Sequence, residues 1–542
     1  MLDTIVQDTP SLKSNLGEDG KGADTLMWVQ EAIFGHRFVE EQLPYILVLE
    51  VLAICRVLQL GDDGRRYEET RIFNHPVAAS DEHENVTIPI VKSVALRYIL
   101  FKDRSLDIVA NDPQLSPEER LGAWIAALNK GFANEVRSGS PLNFEYLRAR
   151  FGNRFDDARQ AVKILQGLEI DVLNNRRYTS RFLAPRGANL ILNDVDQKFV
   201  ADRMFFGRGG EMVYLMLSRS SLAKELAPVI AEQFLASRDP IDRIAAKFVP
   251  DAPDRTAGGS IGYLPKREHA AYERMAEDWH AILTLKELPP PQKFEPLFRM
   301  TALNLMRYFA ERAQVVAGNS VVDPIPLDML GGRDANLRDV SKAFLRRHRQ
   351  VIEDAVESYI RGKIEPTPAW EAALKQPDNA MQSTQALEVI QRTFDAHRWS
   401  SKSESIRPPE AWLAAFIHDA KRRSRNNIST MITPLGTNSG FVVARRGAGT
   451  WFASSDDFLE ALVLAVVKRP ITISDFLQQL YERYGIVVGP EESRRAFSVP
   501  PCDISSFEEN IRAFERRLTG LGYVKRLSDD CAFVSNVYLG SE

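Results

Sequence analysis

Apolar side chains recur at helical spacing along most of this chain. Between residues 25 and 58 they fall at Trp28, Ala32, Ile33 and Phe38, then at Ile46, Leu49 and Leu52, the rhythm of an amphipathic helix. Pro44 divides this run into two helices, because a proline disfavours helical backbone in the residue before it. Residues 61–85, rich in Asp, Arg and Glu, lose the rhythm and predict a surface loop. Residues 86–168 are helical again. Within them Ser116 stands as an N-cap, Pro117 takes the first helical position, and Glu119 follows three residues after the serine. Residues 143–170 read as helix, glycine-containing break and second helix, an arrangement shared by helix-turn-helix units and by α-helical bundles generally. Short strands are expected in residues 176–185 and 209–219.

The segment DAPDRTAGGSIG (251–262) predicts a linker, since Gly, Pro and Asp remove both periodicity and core-forming side chains. Helical patterns follow over 267–283, 294–314 and 341–364, with a proline break at 289–291 and polar regions at 365–383 and 400–409. No internal repeat is present.

The last hundred residues give the sharpest local pattern. SDDFLEALVLAVVKR places Phe458, Leu459, Leu462, Val463 and Val466 on one helical face. A β-prone ITI follows, then SDFLQQLYERYG, with Ser474 expected as its cap and Gly485 as its stop. SSFEENIRAFERRLTGLG aligns Phe507, Ile511, Phe514, Leu518 and Leu521, and YVKRLSDDCAFV reads as a hairpin turning at residues 528–530. Three helices, a short strand and a terminal hairpin are the elements of a winged helix. The expected architecture is mainly α and multidomain. A helical N-terminal region with a few short strands spans 1–250 and a helical middle domain 263–400. A connecting segment takes 401–450, and a winged-helix-like domain takes 451–542.

At 542 residues the chain exceeds one hydrophobic core, and 44% apolar with 26% charged residues is a globular mixture. The net charge of −4 confines any nucleic-acid contact to a local basic patch. That patch is expected in residues 401–450, where 8 basic residues face 3 acidic ones. Lys421, Arg422, Arg423 and Arg425 close a helical pattern there, and Arg445 and Arg446 lie in a Gly-rich stretch. Cations so gathered displace counterions from a phosphate backbone; cations in a helix's last turn also simply complement its dipole. In the terminal domain the DNA-binding reading puts Arg512, Arg516, Arg517, Lys525 and Arg526 at the contact. Residues 451–542 nevertheless carry 10 basic against 14 acidic side chains, and Glu508 precedes Arg512 by one helical turn. A winged helix used for protein contacts fits that balance equally well.

Candidate chemistry adds little. Cys55, Cys502 and Cys531 form no CxxC pair, which argues against a thiolate zinc site and fits a reducing cytosol. FGRGGEM (206–212) matches neither phosphate-binding glycine motif and reads better as a turn. His269 and His280, eleven residues apart, lack HExxH spacing and read as solvated helix positions; His36 beside Glu40 and Glu41 has no nucleophile or second base near it in sequence. No GxSxG elbow occurs. No catalytic residue, metal or cofactor is therefore expected, although carboxylates that converge only in the fold would escape a motif search. Residues 1–24 lack a signal-peptide core, and the apolar stretch at 43–58 is interrupted by Glu50 and Arg56 and falls short of the roughly 20 residues that span a bilayer. A cytoplasmic, membrane-free protein is expected.

Two stretches, LMWVQEAIFGHRFVEEQLPYILVLEVL (26–52) and FLEALVLAVVKRPITISDFLQQLYERYGIVVGPEE (458–492), resemble accessory proteins of bacterial antiphage defence systems, of the methylation-associated defence or Druantia-like type. The resemblance covers about a quarter of the chain and carries no catalytic signature. It implies a subunit acting beside helicase, nuclease or methyltransferase partners. The sequence thus points to a non-catalytic, DNA-associated subunit of a defence complex. A protein-only scaffold and a metal-dependent nuclease with a dispersed site are the alternatives.

Overall fold

The computed structural model describes residues 25–35, 43–59, 72–73, 87–92, 94–135, 143–168, 184–191, 209–236, 238–250, 254–260, 264–394, 396, 399, 406–526 and 532–540. These residues are mainly helical, joined by a few short strands. The predicted break at Pro44 is present. Helix Thr25–Phe34 ends before it and helix Pro44–Gln59 begins on the proline itself, where a missing N–H removes no helical hydrogen bond. Ser116 receives Glu119 as predicted, its N–H and hydroxyl both donating to that carboxylate at the start of helix Pro117–Glu135.

A central helix, Pro290–Val316, organises the rest. Nearly all of it apart from its ends is buried, charged and polar side chains such as Arg299, Asn304 and Arg312 included, so other elements wrap it on all sides. Helices Pro44–Gln59, Ala270–Leu283, Ala335–Ile364, Thr430–Ser439 and Asp456–Val466 do the wrapping. The polar residues of the central helix satisfy groups that would otherwise be orphaned. Thr301 accepts the Trp279 indole N–H at 2.9 Å, Tyr308 donates to the Phe34 carbonyl, Arg312 to the Ile33 carbonyl, and Arg299 to the Ser439 carbonyl and to Asp457. Buried apolar residues from Val29 to Val534 form one continuous cluster. A second cluster gathers Trp124, Phe155 and Leu165 with Phe248. Each fully buried large apolar side chain contributes roughly 1.5–3 kcal/mol.

Several sequence expectations are corrected. Residues Gly209–Ser218 form a helix, not a strand; it is buried on nearly every face, and a continuous apolar run carries no periodicity to tell the two apart. The expected linker contains a strand, Asp254–Ser260, paired antiparallel with Thr87–Lys92 in a stretch read as helical. Ladder pairing uses backbone groups, so a run of Gly and Asp takes part despite its composition. The strand expected at 176–185 lies largely outside the described residues.

In the last hundred residues helices Asp456–Val466, Ile473–Tyr484 and Ile504–Gly520 stand where the pattern put them, with an additional short helix, Pro490–Ala496. The cap of the second is Thr472, whose hydroxyl accepts from the Asp475 N–H; Ser474 already lies inside the helix. Gly485 ends that helix in the left-handed region, φ 70°. Strands Ile471–Thr472 and Val524–Arg526 flank Ala532–Val534 in an antiparallel sheet. The turn expected at 528–530 lies outside the described residues. This terminal segment is fastened to the middle of the chain. Strand Ile486–Val487 runs parallel to Ile325–Pro326, and the buried Asn510 side chain donates to the Leu327 and Val488 carbonyls while accepting from the Met329 N–H.

Candidate nucleic-acid interface

Helix Thr430–Ser439 ends at Gly440, φ 88°, and the chain turns into a hairpin of strands Val442–Arg445 and Gly449–Phe452. Val442 and Phe452, paired across the ribbon, are buried on one face and Trp451 on the other. Strand Gly449–Phe452 packs on the long helix Ala335–Ile364 and strand Val442–Arg445 on helix Thr430–Ser439, leaving residues 444–447 exposed. The tip turns through Gly447 and Gly449, at φ 83° and 92°, a region that costs other residues about 1–2 kcal/mol. The Lys342 ammonium, from the long helix, donates to the Ala448 carbonyl at 3.2 Å and fixes the tip over that helix.

Beside the hairpin, the loop at 328–332 is set by a buried carboxylate. Asp328 is 1% exposed; it accepts from the Leu330 N–H at 2.8 Å, the Gly332 N–H at 2.6 Å and the Trp451 indole N–H at 2.9 Å. The loop so held offers the Gly331 carbonyl to Arg445 at 2.8 Å, and the same guanidinium lies 5.7 Å from the centre of the Trp451 ring. Arg338 approaches the Gly332 carbonyl and its own neighbour Asp339, both at 3.5 Å.

Arg338, Lys342 and Arg346 recur every four residues along the long helix, a row stepping about 6 Å at a time. From residue 333 to 349 the sequence holds 6 basic and 2 acidic side chains. Arg347 is withdrawn to Asp323 at 2.5 Å. Arg333, Arg346 and Arg446 are exposed and form no ion pair among the described residues. The fold therefore assembles Arg333, Arg338, Lys342 and Arg346 with Arg445 and Arg446, two groups a hundred residues apart in sequence.

The other cations picked from sequence are distributed differently. Lys421 reaches Glu357 at 2.6 Å and Arg425 grips Glu353 through two hydrogen bonds of 2.9 and 2.6 Å, both partners lying on the acidic second half of the long helix. Those two cations join helices. Arg422 pairs with Asp419 at 3.2 Å, and Arg423 is exposed. In the terminal segment Arg517 is spent on Asp456, at 2.5 Å, and on the Ser454 carbonyl. Arg512 is exposed and 4.0 Å from Glu508; Arg516 and Lys525 are exposed; Arg526 lies in a strand, its side chain outside the described residues. Lys342 and Arg346 do not stand out in the charge balance of a sequence block. The missing signal was their four-residue spacing on a helix.

The remaining polar candidates are structural. His269 is not a solvated helix residue: its Nδ1 accepts the Ala271 N–H, capping helix Ala270–Leu283, and its ring packs on Tyr272 and Tyr308. Burial lowers its pKa to about 4. Asp278, on the same helix, is fully buried between Arg483 at 2.6 Å, Tyr484 at 2.7 Å and Asn304 at 2.7 Å. Burial raises its carboxyl above the ordinary range, against the pull of Arg483. His36 lies outside the described residues. Among the described residues no cluster of His, Cys, Asp and Glu is arranged to hold a metal, and no helix is long and apolar enough to cross a membrane.

Residues 437–534 match the family model described as Methylation-associated defense system protein MAD7. The matched segment starts at the end of helix Thr430–Ser439, takes in the basic hairpin and runs to the last described strand. It bears out, for that part of the chain, the resemblance to antiphage defence proteins read from the sequence. No match to the chain was found among curated proteins or among solved structures.

Proposed function

We propose that this chain, tied to antiphage defence by the match over residues 437–534, is a non-catalytic subunit that holds duplex DNA for partner proteins of its system. The observation that carries the reading is the convergence of Arg333, Arg338, Lys342, Arg346, Arg445 and Arg446 on the hairpin and the first half of the long helix. Five of these cations, all but Arg338 beside Asp339, have no carboxylate partner among the described residues to offset them. A row of cations at regular intervals fits a phosphate backbone better than an isolated charge does, and each phosphate neutralised releases condensed counterions. The helices and sheet of residues 456–534, read as a winged helix, serve here as the element that docks the interface on the core. Their exposed cations are interspersed with Glu508 and Glu509, a balance suited to protein contacts.

A salt titration tests this. Four to six phosphate contacts give a slope of log affinity against log salt of about −4 to −5. Charge reversal at Arg346 or Arg446 reduces that slope by about 1 each, whereas Arg425→Ala leaves it unchanged because Arg425 is held by Glu353. Failure to bind duplex at low salt, or loss of the slope on Arg425→Ala alone, refutes the assignment and favours a protein-only scaffold.

A further inference from the structure

We infer that the hairpin tip reads the minor groove of duplex DNA, with Arg446 as the inserted side chain; the inference rests on the duplex-binding reading above. The major groove accepts a whole helix or a whole two-stranded ribbon. Neither is on offer here. The base of the ribbon is buried on both faces, by Val442 and Phe452 on one and Trp451 on the other, and what projects is the short exposed segment 444–447.

That projection is narrow. After Arg446 come Gly447, Ala448 and Gly449, so no side chain larger than a methyl group widens the turn. A minor groove about 6 Å wide admits a guanidinium and bare backbone but excludes a helix. The tip is also fixed in advance, by Lys342 on the Ala448 carbonyl and by Arg445 on the Gly331 carbonyl, so little conformational freedom is lost on insertion. Arg333 and the row Arg338, Lys342 and Arg346 lie beside the tip, where the phosphates that rim a groove would meet them. Narrow A·T minor grooves concentrate negative potential and attract arginine, whose guanidinium sheds water more readily than an ammonium does.

The test uses the full chain and three duplexes of equal length: A·T-rich, G·C-rich, and the G·C sequence with inosine replacing guanine. Inosine removes the guanine amino group from the minor groove and leaves the major-groove edge intact. Fluorescence anisotropy is expected to show the A·T and inosine duplexes binding about tenfold more tightly than the G·C duplex. Arg446→Ala, its fold verified by circular dichroism, is expected to bind all three alike. If the inosine duplex behaves as the G·C duplex does, or Arg446→Ala weakens all three by one common factor, the tip does not enter the minor groove and backbone binding alone remains. If none of the three binds at low salt, the duplex-binding reading falls and this inference with it.

Discussion

The buried Asp328 carboxylate ties the loop at 328–332 to the hairpin, and its removal has a calculable cost. Its three hydrogen bonds come from the Leu330 and Gly332 amides and the Trp451 indole. In Asp328→Ala the two loop amides, which belong to half-exposed residues, regain water. The indole cannot, because Trp451 is 1% exposed. A hydrogen bond to a charged group contributes about 1.5–3 kcal/mol, and a dry unpaired donor costs a similar amount. Trp451→Phe removes only the donor and keeps most of the ring contact. In the double variant the indole penalty vanishes, so the pair couples by about 1.5 kcal/mol. A chain this long is not expected to unfold in one step, so the appropriate assay is hydrogen exchange read by peptide mass over residues 328–332 and 442–452. Local opening energies appear there directly. Asp328→Ala should speed exchange in both segments by more than about tenfold, since about 1.4 kcal/mol corresponds to that factor. If exchange changes by less than about twofold, or the two single effects simply multiply in the double variant, the carboxylate does not organise this loop.

Other outcomes follow from the same geometry. Gly332→Ala should destabilise the loop by more than the roughly 1–2 kcal/mol of a left-handed non-glycine residue, because its new methyl would sit 2.9 Å from the Trp451 ring; exchange over residues 328–332 is again the readout, and native-like protection refutes the close approach. Arg483→Ala strands the Asp278 carboxylate, which is 0% exposed, at a cost of about 3–5 kcal/mol. Because burial already raises that carboxyl above its ordinary 3.8 and Arg483 opposes the rise, the variant should lose stability as pH climbs past the unfolded value. Thermal midpoints across pH that run parallel to those of the unaltered chain would refute this. His269, held neutral by burial with a pKa of about 4 against an ordinary 6.5, contributes stability that is complete above 6.5 and is lost as pH falls towards 4. His269→Asn keeps a capping side chain without the titration, so it should flatten the acid limb of the stability profile; an unchanged limb assigns the loss to other groups.

The helices were largely legible in the sequence because their signals are local. Apolar spacing, Pro44, the Ser116 cap with Glu119 and the stop at Gly485 each act within a turn or two of the residues they govern. The three longer helices over residues 456–534 were legible for the same reason, whereas strand Ile486–Val487 and the short helix Pro490–Ala496 were not. Where local signals were silent or ambiguous the reading failed: the uniformly apolar segment at 209–218 carries no period, and the strand at 254–260 is made by backbone pairing to residues more than 160 positions away. Charge shows the same division most plainly. Composition located the excess of cations in residues 401–450 but could not say which were already neutralised. Lys421 and Arg425 are consumed by Glu357 and Glu353, while Arg445 and Arg446 gain Arg338, Lys342 and Arg346 as neighbours. Covalent order fixes which side chains a segment carries, but an electrostatic surface depends on distance in space, and only the packing of the hairpin on the long helix sets those distances.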